Sequence, residues 1–137
     1  MPLDRFPFVS LIGRLLMCSL FTVSGIGKLM APSATKAYIA AAGLPLPDIA
    51  YLGALIVELG FGTLLLVGFK TKPVAAAMAI FTLVTAFVFH AHFGDANQQV
   101  HFLKNLSIAG GLIQFALCGA GSISLDGLRA QRASAPE

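Results

Sequence analysis

The chain has 137 residues, of which 57% are hydrophobic and 11% charged, and its formal net charge is +3. Its mean hydropathy is +0.85, whereas a soluble domain carries about 25% charged residues. A soluble globular protein of this size is therefore excluded, and the scattered basic residues form no nucleic-acid footprint.

Four long apolar stretches dominate the chain, each near the roughly 20 residues that cross a bilayer core. Helices are expected throughout, because an open strand would leave backbone groups unpaired in lipid. The first stretch covers residues 8–30. Arg5 is its only early base, Arg14 interrupts it, and no A-x-A site directly follows, so it reads as a retained helix rather than a signal peptide. Ser33 is placed to cap a short helix over residues 34–42, stopped by Gly43 and then Pro45 and Pro47. Its Tyr38 and Ile39 point to the membrane interface.

The second stretch covers residues 48–69, with Asp48 as its expected cap. Lys70-Thr71-Lys72 makes a very short link, so the second and third helices are antiparallel neighbours. The third stretch covers residues 73–93, and Pro73 suits its first turn, where the missing N–H costs nothing. A turn over residues 94–99 leads to the fourth stretch, residues 100–120. The tail, residues 122–137, is polar and expected to be partly disordered. The fold class is all-α: one transmembrane four-helix bundle, with a short interfacial helix between helices one and two. Ser107 with Gly111, and Ala75 with Ala79, are small-residue pairs that favour close helix packing.

Lys and Arg fix the expected orientation. Arg5, Lys70, Lys72, Arg129 and Arg132 share one side, against Lys36, with Lys28 and Lys104 at helix ends on the other. Basic loops stay in the cytoplasm, which puts both termini there.

Ionisable groups in hydrocarbon are costly and are usually paired or functional. Lys28, His90, His92, His101, Lys104 and Asn105 all fall within about two turns of the outer interface by helix rise. Glu58 lies near the midplane and needs a partner. Arg14 is the first candidate, at a depth within roughly 6 Å, and Lys28 and Lys104 are alternatives. An Arg14–Glu58 pair would be structural. Glu58 could otherwise serve as a proton carrier or ligand contact, and Lys28 and Lys104 could simply snorkel to the interface.

His90 and His92 are two residues apart and face nearly opposite sides of a regular helix. They make a three-histidine metal site with His101 only if the helix end unwinds. Interfacial hydrogen bonding is the plainer role for them. Cys18 and Cys118 differ in expected depth by about 12 Å, whereas a disulfide needs Cα atoms within about 7 Å. A dithiol mechanism is not expected.

Several segments together resemble the DoxX family of small bacterial membrane proteins. They are SGIGKLMAP (residues 24–32), YIAAAGLPLP (38–47), VELGFG (57–62), GFKTKP (68–73), FVFHAHF (87–93), HFLKNLSIAGG (101–111) and SLDG (124–127). Gly119-Ala120-Gly121 departs from the Gly-Pro-Gly turn expected there. The resemblance implies a four-helix inner-membrane protein, and relatives include a quinone-linked membrane subunit and members of oxidative-stress complexes. If positions carry over, Lys28, Glu58, His90, Lys104 and Asn105 are the ligand-binding or proton-relay residues.

Three functions compete. The first is a redox-associated subunit that binds a quinone or similar apolar ligand. Lys104, Asn105 and His90 would donate to it and Glu58 would relay a proton. No haem, flavin or iron–sulfur motif is present in the sequence, so electrons would come from a protein partner. The second is a non-enzymatic scaffold or assembly partner, in which the polar cluster stabilises the bundle. The third is transport of a small solute, which in so narrow a bundle would call for a homo-oligomer.

Overall fold

The computed structural model describes residues 6–134. Arg5, counted above for orientation, and the end of the tail lie outside the described residues. Among those described there is no strand, and four helices are long and apolar enough to cross a membrane: Pro7–Met30, Pro47–Val67, Thr71–Phe89 and Ala96–Cys118.

The first span is α1, Pro7–Met30. A single residue, Ala31, separates it from α2, Pro32–Ala41. Ser33 does not cap α2, because Pro32 itself opens the helix and Ala31 takes the capping position. The break at Pro32 follows from its missing N–H. In a continuous helix that N–H would bond Lys28 O, which instead accepts from Tyr51 Oη at 3.2 Å.

The second span is built in three parts: α3, Pro47–Leu55; a π-helical turn, Ile56–Phe61; and α4, Gly62–Val67. Asp48 is not its cap either. Pro47 occupies the first helical position after Leu46, and the Asp48 carboxylate pairs with Lys36 at 2.5 Å, tying α2 to α3. Gly68 ends the span with a left-handed backbone (φ 68°). Gly68 N–H bonds Leu65 O and Phe69 N–H bonds Leu64 O, the paired closure typical of glycine-terminated helices. A Cβ at Gly68 would also stand 2.4 Å from Ser124 Cβ, so glycine is required for both conformation and space.

The third span, α5, is Thr71–Phe89. It ends before both His90 and His92, which the sequence placed on the helix. The backbone at His90 (φ −126°, ψ 7°) has already left helical geometry. The fourth span, α6, is Ala96–Cys118 and starts earlier than expected, because Asp95 caps it by accepting from Asn97 N–H at 2.8 Å. Leu65, Ala75, Met78, Ala79 and Leu112 form the closest-packed centre with Cys18 and Phe21 of α1.

The tail is not disordered over the described residues. Ser124 caps a seventh helix, α7, Leu125–Ala133, by accepting from Gly127 N–H. The Asp126 carboxylate then takes the N-terminus of α5. It accepts from Lys70 N–H at 2.9 Å, Thr71 N–H at 2.8 Å and Thr71 Oγ1 at 2.8 Å, while Asp126 N–H donates to Gly68 O at 2.9 Å. A carboxylate at a helix N-terminus is favoured by the orphan N–H groups and the helix dipole.

Arg14 completes this α7 end of the bundle. It is 1% exposed and donates to Leu66 O at 2.6 Å and to Ile123 O. Ser10 Oγ donates to Ala120 O at 2.7 Å. Antiparallel packing thus sets Arg14 level with Leu66, eight residues beyond Glu58 (66 − 58), or about 12 Å along the helix. The Arg14–Glu58 pair expected from depth is therefore not formed. Arg14 spends its charge on backbone carbonyls.

Asp126 carries a pH prediction. Burial opposes its ionisation, but the Thr71 and Lys70 donors and the Arg129 charge outweigh that and hold it below its ordinary value of 3.8. A carboxyl lowered in the folded state stabilises fully above its unfolded value and loses that contribution as pH falls through the folded value. Hydrogen exchange of residues 68–71 should be insensitive to pH-corrected conditions above pH 5 and should accelerate below pH about 4. Asp126→Asn should accelerate it about ten-fold at neutral pH. Unchanged protection in Asp126→Asn would contradict this account of the docking.

Candidate functional site

One face of α1 builds the wall between the first two spans. Ser10, Arg14, Cys18, Phe21 and Gly25 are buried and recur at helical spacing, with Lys28 next in the series. Cys18 Sγ contacts Gly62 O at 3.2 Å. At Gly25 the helices come so close that a Cβ would meet the Leu59 side chain at 2.6 Å and Glu58 Cβ at 3.3 Å. That approach brings Lys28 onto Glu58.

Lys28 Nζ donates to Glu58 Oε1 at 2.8 Å and Oε2 at 2.9 Å, and to Ser24 Oγ at 2.8 Å. All three ammonium protons have acceptors. The Glu58 side chain is 7% exposed and that of Lys28 is 25%. Glu58 sits inside the π-helical turn, whose extra residue per turn re-aims the side chains that follow. Such turns are concentrated at functional sites.

The pair borders a cavity of about 530 Å³ between the halves of the spans nearer α2. This is within the roughly 300–1,000 Å³ of small-molecule sites. Phe21, Ile39, Ala54, Val57, Phe81, Val88 and Ile108 give it apolar walls. Lys28, Glu58, His90, Lys104 and Asn105 all line it, as do Ser24, Thr82 and Thr85. The five residues singled out in the sequence therefore meet around one space. Asn105 Nδ2 lies 3.5 Å from Thr85 Oγ1, which itself donates to Thr82 O at 2.8 Å.

The histidines divide. His90 Nδ1 donates to Gln98 Oε1 at 2.8 Å, and its ring stacks on His101 with centroids 5.2 Å apart. Lys104 Nζ, which can only donate, lies 3.1 Å from His101 Nδ1. His92 follows the helix end and is exposed. The three-histidine site is not assembled, and among the described residues no group of three metal-ligating side chains is placed to hold an ion. Cys18 is buried, Cys118 exposed, and both are free.

Over this end of the bundle lies α2. Thr35, Tyr38 and Ile39 line the cavity, and Tyr38 stacks on Phe89 with centroids 5.3 Å apart. With the Lys36–Asp48 pair, this stack holds α2 in place. A wider cleft of about 960 Å³ opens at the opposite end, beside α7. The Asp126 carboxylate in that cleft is committed to Lys70 and Thr71.

Sequence reasoning missed Ser24, Thr82 and Thr85. Ser24, one turn before Lys28, and the Thr82–Thr85 pair in an otherwise apolar third span were the available signal. It also missed the π-helical turn, for which Gly60 and Gly62 beside Glu58 are only a faint sign.

A double-mutant cycle tests the pair. Glu58→Gln and Lys28→Met should each cost about 2–4 kcal/mol of stability in detergent, because each strands a buried charge. The double variant should cost less than the sum, with coupling of about 2 kcal/mol. Additive effects would show that the pair contributes nothing.

A family model described as DoxX matches residues 9–91. It covers Lys28, Glu58 and His90 and stops short of Lys104 and Asn105. Inner membrane protein YqjF of Escherichia coli (strain K12) is 39% identical over 121 residues, covering 86% of this chain and 89% of its own length. Inner membrane protein YphA of the same organism is 36% identical over 125 residues, covering 88% of this chain and 89% of its own. No solved structure matches the chain. With four membrane-spanning helices and these relatives, the chain belongs to the DoxX family and is an integral inner-membrane protein.

Proposed function

We propose that the protein binds a quinone, or a similarly flat apolar molecule with carbonyl acceptors, in the cavity between its spans, as a membrane subunit associated with a redox partner. The observation that carries this is the meeting of Lys28, Glu58, His90, Lys104 and Asn105 on one largely apolar cavity of about 530 Å³. Apolar walls suit a ring and the start of an isoprenoid chain. Lys104 and the Asn105 amide are donors for a carbonyl oxygen. Two electrons from the partner and two protons would convert the quinone to its quinol, and Glu58, already hydrogen-bonded to Lys28 and Ser24 through the ammonium, is the group best placed to pass protons.

The scaffold function has one observation in its favour. The Lys28–Glu58–Ser24 set is satisfied without any ligand, so it holds two helices together whether or not the cavity is used.

The protein in lipid nanodiscs, titrated with a short-chain ubiquinone and a menaquinone analogue, separates the two. Saturable binding, weakened about ten-fold in Asn105→Ala and Lys104→Ala (one lost hydrogen bond each), is expected. A folded protein that binds neither quinone leaves the scaffold function.

The orientation proposed with this function has both termini in the cytoplasm and the cavity in the outer half of the membrane. It rests on Lys70, Lys72, Arg129 and Arg132 at the end opposite the cavity. A C-terminal green-fluorescent-protein fusion should fluoresce and a C-terminal alkaline phosphatase fusion should stay inactive. The opposite pattern would invert the topology.

A further inference from the structure

We infer that α7 is an interfacial anchor whose exposed face lies on an anionic phospholipid surface. Asp126, Gly127, Ala130, Gln131 and Ser134 face the cleft beside the ends of the spans. The other face carries Leu125, Leu128, Arg129 and Arg132, at the i, i+3, i+4, i+7 spacing of one helical stripe. Leu125 is 43% exposed and Leu128 49%. A short docked helix that offers two leucines flanked by two arginines fits the boundary between headgroups and acyl chains, with the leucines inward and the guanidinium groups reaching the phosphates.

Position and charge select the occupant. Asp126 fixes α7 to Lys70 and Thr71, where the second and third spans meet. Arg129 lies over the Phe69 ring at 4.5 Å from its centroid, so the exposed face starts where the second span leaves the bilayer. Lys70 reaches the same Phe69 ring, at 5.9 Å from its centroid, and none of Lys70, Arg129 and Arg132 belongs to an ion pair among the described residues. The nearby acid, Asp126, is held by backbone and hydroxyl donors. The surface is therefore cationic with an apolar centre, which complements anionic lipid headgroups, each base contributing about five-fold in preference.

Hydrogen exchange of the full-length protein tests this in two nanodiscs, one of phosphatidylcholine and one with about a third phosphatidylglycerol. Exchange over residues 123–134 should slow at least several-fold with phosphatidylglycerol, and the slowing should vanish in an R129Q/R132Q double variant and in high salt. The α1 span should be unaffected, which reports that the variant is folded. Equal exchange in the two lipids overturns the inference. So does slowing that persists undiminished in R129Q/R132Q, or slowing produced in phosphatidylcholine by an added acidic protein alone.

Discussion

The Lys28–Glu58 ion pair is the constraint on which the α2 half of this bundle depends. A lone carboxylate inside a membrane helix costs several kcal/mol, so Glu58 can be kept only if an opposite charge reaches it. Lys28 does so from near the end of α1, on a long stem whose three protons are shared between the carboxylate and Ser24. The reach demands close helices, which Gly25 permits. It also demands a carboxylate turned toward α1, and the π-helical turn at Ile56–Phe61 is where that direction is set. With the pair seated, the same residues form one wall of the cavity.

The two ends of the molecule solve their polar problems differently. At the α7 end, Ser10, Arg14 and Asp126 bond mainly to backbone groups at the ends of helices, and the result is a hydrogen-bonded knot around Gly68, beside the wider cleft. At the α2 end, side chains bond to side chains, and Lys28, Lys104, Asn105 and His90 border a largely apolar cavity. Backbone-satisfied charges rigidify. Side-chain networks around a cavity leave donors and acceptors for a ligand. That contrast supports the proposal of a ligand site at the α2 end, with the α7 end serving stability.

Much of this was legible in the sequence. Apolar length gave the four spans, the cost of charge in lipid drew attention to Lys28, Glu58 and Lys104, and the resemblance to the DoxX family added His90 and Asn105. Partner choice was not legible, because it depends on antiparallel register. A depth count put Arg14 near Glu58, whereas packing set Arg14 against Leu66. The π-helical turn was not legible, because Gly60 and Gly62 are the only local sign of it. Residues 125–133 read as a polar tail because α7 is too short to stand alone. Its order comes from Asp126 capping a distant helix. Asp48 and Ser33 failed as caps because a proline next to each set the helix start first.

The most direct test of the central claim is to map where a photoreactive quinone analogue attaches to the protein in native-like lipid. The account predicts labels confined to the outer halves of the spans, on peptides containing residues 20–28, 50–58, 81–90 and 104–108, with protection by excess unlabelled quinone. Labels spread over the lipid-facing residues, or collected at the inner end beside α7, would contradict it.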